Sequence, residues 1–182
     1  MSKAPIIESE RLLLEPISVK FCSNSYVGWL NDEEVYRYLE TGGNHTIEML
    51  KDFLIAAEAK DILFWAIIIK ETKKHIGNIK IDPINKRHGL GEYGILMGDK
   101  TEWGKGYAKE TSIAVIDYCF KQLNFRKMTL GVIEENIVAV KLYQNLGFKQ
   151  EGLYVEHGIY EGKYCNVIRM ALFNKQYNQH IQ

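Results

Sequence analysis

Apolar and polar positions change period several times along this chain, and each change predicts an element. Arg11 to Glu15 reads as a first strand, ended by Pro16. Behind Ser18, a residue suited to cap a helix, Phe21, Tyr26, Trp29 and Leu30 predict a helical stripe. Asp32 predicts the start of a shorter helix through Val35, Tyr36 and Leu39. Gly42-Gly43 breaks the pattern, and Thr46 restarts it with Ile47, Leu50, Phe53 and Leu54. Phe64 to Ile69 is almost wholly apolar, as a strand buried on both faces would be. Lys70 to Lys73 is a polar turn, and His75 to Ile81 alternates as a half-buried strand does.

After a turn over Asn85 to Gly89, Leu90 to Met97 reads as a further strand. A helix is predicted from Tyr107 to about Gln122. Its core stripe is Ile113, Ile116 and Phe120, with Val115 and Cys119 beside them, and Glu110, Asp117 and Lys121 lie opposite. Met128 to Ile133 is a strand and Asn136 to Leu146 a helix. Lys149 to Ile159 and Tyr164 to Leu172 are strands joined by the turn Tyr160-Glu161-Gly162-Lys163. This order implies an α/β or α+β sheet, antiparallel early, with a crossover around Tyr107 to Ile133.

Length and charge narrow the class. The 182 residues fit one domain spanning 1–182, with no repeat, low-complexity stretch or evident linker. Lys+Arg and Asp+Glu both count 23, a balance that argues against a nucleic-acid partner. Met1 to Pro5 has no apolar leader, and Ile62 to Ile69, the longest apolar run, is too short to span a bilayer. A cytoplasmic protein with no membrane partner is expected. Cys22, Cys119 and Cys165 form no C-x-x-C pair, so neither a metal site nor a disulfide framework is signalled.

Two stretches carry candidate chemistry. Trp103-Gly104-Lys105-Gly106-Tyr107-Ala108 is a glycine loop that opens a helix. Helix N-termini leave backbone N–H groups unpaired, and glycine lets a phosphate approach them. A P-loop would need G-x-x-x-x-G-K-[ST], which is absent, and Lys109 stands where a dinucleotide fingerprint needs its last glycine. The alternative is a plain glycine turn. About thirty residues on, Asn136 can cap a helix that Gly147 ends, with Ala139 and Tyr143 on its face and Val138, Leu142 and Leu146 assigned to the core. Tyr143 is either a proton donor or a half-buried aromatic.

Side by side, these stretches resemble the GNAT superfamily of acyl-CoA-dependent N-acetyltransferases. The family's pyrophosphate loop is written [QR]-x-x-G-x-[GA], and Gly106-Tyr107-Ala108 matches its G-x-A part. Trp103 departs from it, standing where Gln or Arg is usual. Trp-Gly-x-Gly-Tyr-Ala, the opening Glu8-Ser9-Glu10-Arg11-Leu12-Leu13-Leu14, and Asn136 through Tyr143 to Gly147-Phe148 are similar to the Rim-type branch of ribosomal-protein N-terminal acetyltransferases. The tail Glu161 to Met170 is also similar to bacterial spermidine acetyltransferases. Asn31 to Val35 and Tyr38 to Glu40 look like amino-sugar acetyltransferases.

The resemblance implies a GNAT fold: a mostly antiparallel twisted sheet of about seven strands, helices on both faces, and splayed strands that form an acetyl-CoA cleft. It implies acetyl-CoA as co-substrate and no metal. Ile95, Leu96 and Met97 would pair with pantetheine, and residues Trp103 to Ala108 would hold the pyrophosphate. Asn136 and Ala139 would contact the cofactor, and Tyr143 would protonate the departing thiolate. Glu92 is the candidate base. His75, His88 and His157 match no motif position. Glu33, Tyr36 and Glu40 are candidates to line the acceptor cleft. The implied acceptor is an amine on a protein N-terminus, a polyamine such as spermidine, or a nucleotide-linked amino sugar; a non-catalytic acyl-CoA-binding domain is the alternative. A homodimer is a further expectation.

Overall fold

The computed structural model describes residues 4–41 and 43–175; Gly42 of the expected Gly42-Gly43 break, and Met1 to Lys3 ahead of the chain's first elements, lie outside them. Among the described residues the strands are β1 (Ile7–Glu8), β2 (Leu12–Pro16), β3 (Leu63–Ile69), β4 (His75–Asn85), β5 (Leu90–Met97), β6 (Lys127–Ile133), β7 (Lys149–Tyr160) and β8 (Lys163–Phe173). The helices are α1 (Asn24–Asn31), α2 (Glu33–Tyr36), α3 (Ile47–Ala59), α4 (Tyr107–Lys121) and α5 (Ile137–Asn145). The strands are hydrogen-bonded in the order β1-β2-β3-β4-β5-β6-β8-β7. This is the mixed α+β class expected, with β1 as an unforeseen addition. β5 and β6 pair in parallel, Leu90–Glu92 against Lys127–Thr129. A parallel pair needs a crossover, and α4 supplies it. No helix among the described residues is long and apolar enough to cross a membrane.

The chain forms two compact units. One is built from the stretch up to Ile81 and from Ile95–Thr111. Its β3 is buried at every position and pairs antiparallel with β2 and β4. Tyr26, Trp29, Leu50, Leu54, Phe64 and Ala66 form its core. The helix expected behind Ser18 begins later. Val19–Phe21 is a 3-10 turn, Ser18 makes no side-chain cap, and Ser23 caps α1 by accepting from Tyr26 N. Asp32 and Thr46 cap α2 and α3 as their side chains suggest. β4 is not half-buried as its alternation implied, because Gly77 and Asn78 are buried with their neighbours. A Cβ on Gly77 would stand 2.2 Å from the Leu96 carbonyl oxygen, so only glycine permits this approach of β4 and the end of β5. A Cβ on Gly98 would likewise stand 2.1 Å from the Trp29 ring.

The second unit takes in Asp82–Gly94 and the chain from Ser112 onward. β8 pairs antiparallel with both β6 and β7. Met128, Leu130, Val115, Cys119, Tyr93, Tyr143 and Phe148 are its buried apolar residues of note. The helical stripes follow expectation in part: Val115, Ile116 and Cys119 of α4 are buried. Ile113 on α4 is 47% exposed and Val138 on α5 is 83% exposed, whereas Ser112 and Tyr143 are buried. The buried Ser112 hydroxyl is satisfied there by Tyr93, with Tyr93 Oη and Ser112 Oγ 2.7 Å apart.

Candidate active site

The glycine loop sits in the first unit, between the end of β5 and α4. Asp99 accepts from Thr101 N and starts a 3-10 turn over Lys100–Glu102. Lys74 Nζ ties that turn down through Asp99 (2.7 Å) and Glu102 (3.2 Å). Trp103 donates its indole N–H to the Met97 carbonyl at 2.8 Å. Gly104 (φ 75°) and Gly106 (φ 84°) are both left-handed, a conformation that costs other residues about 1–2 kcal/mol. Glu110 N donates to Gly106 O at 3.1 Å where α4 begins. A Cβ at Gly104 would meet nothing within 4 Å. The loop thus offers glycine-opened backbone and a helix N-terminus together. Ile95, Leu96 and Met97, which lead into it, are part-buried.

Arg11 and Glu110 complete the loop's surroundings. The sequence placed Glu110 on a solvated face of α4. In the structure its side chain is only 16% exposed, because it is bound by Arg11 and Ser9. Nothing in the spacing of the chain signals this pair, which joins residues 99 positions apart.

In the second unit, Asn136 caps α5 by accepting from Ala139 N at 3.3 Å, which uses its amide oxygen and leaves the NH2 group for other contacts. Gly147 follows the helix at φ 94°. Tyr143 is buried against Tyr93 (ring centroids 5.7 Å apart, 82°) and Phe148 (6.0 Å, 61°). Burial pushes its phenol up to about 12, so it stays protonated through the physiological range. Tyr93, which sequence reasoning missed, is fully buried beside it, and its phenol is pushed up by burial and by Tyr143, against the Ser112 bond.

Glu92 lies on β5 opposite Thr129 of β6. Its carboxylate accepts from Arg169 Nη1 (2.7 Å) and Nη2 (2.8 Å) and from Thr129 Oγ1 (2.7 Å). Burial alone would raise it, but the Arg169 and Thr129 bonds hold it below the usual glutamate range. Arg169 stands in register with Gly131 of β6 and Gly152 of β7. A Cβ on Gly131 would stand 2.8 Å from Arg169 Nη1.

The remaining candidates are less enclosed. Glu33 and Glu40 are exposed and Tyr36 is part-buried. Lys100 engages their neighbours Asp32 (2.7 Å) and Glu34 (2.5 Å). His75 is packed among Phe21, Tyr26 and Trp29, with Nε2 at 2.9 Å from Gly77 O and 3.0 Å from Asn78 Oδ1. Burial keeps it below the ordinary histidine range, despite those two bonds. His88 and His157 are exposed.

Comparison with known proteins gives these parts a context. The family described as acetyltransferase (GNAT) domain matches residues 11–149. An uncharacterized N-acetyltransferase, p20, of Bacillus licheniformis is 29% identical over 93% of this chain and 96% of its own length. A spermidine N(1)-acetyltransferase of Vibrio cholerae is 34% identical over 60% of this chain and 64% of its own. The solved Vibrio cholerae spermidine N-acetyltransferase, in complex with CoA and spermine, superposes with a TM-score of 0.82 at 25% identity, covering 93% of this chain and 99% of that one. A ribosomal-protein-S5-alanine acetyltransferase from Vibrio fischeri shares the fold, with a TM-score of 0.82 at 20% identity over 95% of this chain and 98% of that one.

Proposed function

The chain belongs to the acetyltransferase (GNAT) domain family, and from that premise we propose that it transfers the acetyl group of acetyl-CoA to a primary amine by direct attack in a ternary complex. The observation that carries this reading is the left-handed pair Gly104 and Gly106 at the N-terminus of α4. That loop fits a pyrophosphate: its backbone is open at Gly104, and a helix N-terminus favours negative charge. Acetyl-CoA supplies an acyl group activated as a thioester. Residues Trp103 to Ala108 hold the pyrophosphate mainly through backbone. Ile95, Leu96 and Met97 offer strand backbone to the pantetheine arm, and Asn136 and Ala139 offer an amide and a small surface. This is catalysis by positioning, which can lower a barrier by several kcal/mol, about 7–11 at best.

Tyr143 is the donor to the departing thiolate in this reading. A phenol held up by burial keeps its proton until a strong acceptor develops beside it. Glu92 is the carboxylate that attracts the amine and passes its proton outward through water. With three hydrogen bonds already accepted, two of them from Arg169, it is a weak base, so it relays the proton to water and does not hold it.

Two acceptors have support. The likeness of the loop and opening motif to Rim-type enzymes favours a protein N-terminus. The spermidine N(1)-acetyltransferases, 34% and 36% identical over their matched stretches, favour a polyamine, and the exposed carboxylates Glu33 and Glu40 suit a cationic chain. The deciding experiment follows CoA-thiol release with N-terminal peptides, polyamines and nucleotide-linked amino sugars. Turnover with one class assigns the acceptor. Saturable acetyl-CoA binding with no turnover on any of them would leave an untested acceptor or a binding domain as the surviving readings. In the same assay, an acidic limb of kcat/KM that is unchanged by Glu92→Gln would put the base elsewhere.

A further inference from the structure

We propose that Arg11 is a positioning residue for the pyrophosphate: it holds the Gly104–Ala108 loop in its ligand-facing conformation and cancels the acidic charge that Glu110 brings to the first turn of α4. The proposal rests on the reading of that loop as the pyrophosphate site. It starts from the head of the loop, where Trp103 provides neither a cation nor an amide. Its indole N–H is already bound to the Met97 carbonyl. A guanidinium comes instead from β2's leading edge, far away in sequence.

Arg11 makes three kinds of contact with the loop and helix. Its Nη1 donates to the Lys105 carbonyl at 3.0 Å. Its guanidinium lies over the Tyr107 ring at 4.5 Å. Its Nε and Nη2 both reach Glu110 Oε2 at 2.7 Å. The backbone N–H of Arg11 and the hydroxyl of Ser9 donate to Glu110 Oε1, each at 2.7 Å.

Two consequences follow from elementary geometry and charge. A trans peptide is planar, with its C=O and N–H on opposite sides. Because the Lys105 carbonyl points at Arg11, the Gly106 N–H of the same peptide points away from it. A Cβ at Gly106 would meet Arg11 Nη2 at 3.5 Å, so the guanidinium sits on the side-chain side of that residue. Arg11 therefore fixes which way the loop presents its amide. The charge matters as well. A carboxylate in a helix's first turn is favourable to the helix but competes with any anion placed there. Burial pushes the Glu110 carboxyl up, yet the donors from Arg11 and Ser9 outweigh it and hold the group ionised. With Arg11 in place that charge is matched, and the N-terminus is left for phosphate.

The test is calorimetric titration of the full chain with CoA and with pantetheine, which lacks the phosphates. The wild type is expected to bind CoA more tightly than pantetheine. Arg11→Gln is expected to weaken CoA about tenfold and to leave pantetheine unchanged. Glu110→Gln gives a test of sign. Removing a negative charge beside a phosphate should tighten CoA if charge alone matters, whereas loss of the brace weakens it severalfold. Arg11→Lys, which keeps the charge and loses the fork, should fall between wild type and Arg11→Gln, and it carries the test with Glu110→Gln if Arg11→Gln does not fold. An unchanged CoA-to-pantetheine ratio in the Arg11 variants, or tighter CoA binding by Glu110→Gln, overturns the proposal while leaving the loop assignment standing. A wild type with no preference for CoA over pantetheine overturns the loop assignment itself.

Discussion

The loop before α4 and the aromatic wall around Tyr143 solve different problems with different materials. The loop is ionic and partly exposed: Gly104 and Gly106 shape its backbone, and Arg11, 44% exposed, braces it through Lys105 and Glu110. The wall is apolar and closed: Tyr143, Tyr93 and Phe148 bury one another, and a single hydroxyl pair satisfies Tyr93. Backbone chemistry recognises an anion whatever side chains decorate it. A proton donor, by contrast, depends on one side-chain atom and on the burial that sets its acidity. Changes in the wall should therefore act on kcat and changes in the loop on cofactor affinity.

Tyr143→Phe tests the wall with the largest expected effect. It removes one oxygen and keeps the ring contacts with Tyr93 and Phe148. A kcat lower by roughly 10²-fold is expected, with acetyl-CoA KM changed by no more than about twofold. A loss confined to KM would move Tyr143 from the chemistry to binding. The pH dependence has a definite sign. With its pKa raised by burial to about 12, Tyr143 remains protonated, so its ionisation produces no fall in kcat between neutral pH and the ordinary tyrosine pKa of about 10. The folded state holds that proton longer than the unfolded chain does. Its contribution to stability is complete below the ordinary tyrosine pKa and is lost as pH rises from about 10 to about 12. Melting curves of Tyr143→Phe should accordingly lose part of the wild-type decline in that window.

Gly106→Ala tests the loop with a smaller effect. Its Cβ would lie at ordinary contact distance from Arg11, so the cost is the left-handed conformation, about 1–2 kcal/mol. CoA affinity should fall about tenfold if the loop relaxes to relieve that strain, with kcat at saturating cofactor little changed. An equal fall in kcat and affinity would erase the division between the two regions.

The chain revealed these regions unequally. Asn136, Thr46 and Asp32 were readable as caps because a cap is a local event, settled within three or four residues. Strands such as Phe64 to Ile69 and the helix behind the glycine loop were readable from their periodicity. The helix faces were less so. Val138 looked like core by spacing yet is exposed, and Ser112 is buried, because partners such as Tyr93 come from distant strands. The glycine loop announced itself, but its brace did not, since the Arg11–Glu110 pair is made by the fold and by no sequence period. For the same reason the Arg169 fork on Glu92, which makes that carboxylate a weaker base, could not be read in advance.

The smallest effect expected is at Lys105, and it bears most directly on what the loop is made of. Its ammonium looks like a phosphate ligand by position. In the structure it is paired with Glu102 at 2.7 Å and its side chain is half exposed, a setting in which an ion pair contributes little. The part of Lys105 that Arg11 holds is the carbonyl, which every residue but a changed backbone would supply. Lys105→Ala should therefore alter CoA affinity by less than about twofold at moderate ionic strength, far less than Arg11→Gln. A loss as large as that of Arg11→Gln, fading with added salt, would show that the loop binds through side-chain charge. The contrast between a backbone site and a side-chain site would then fail at the residue where it is sharpest.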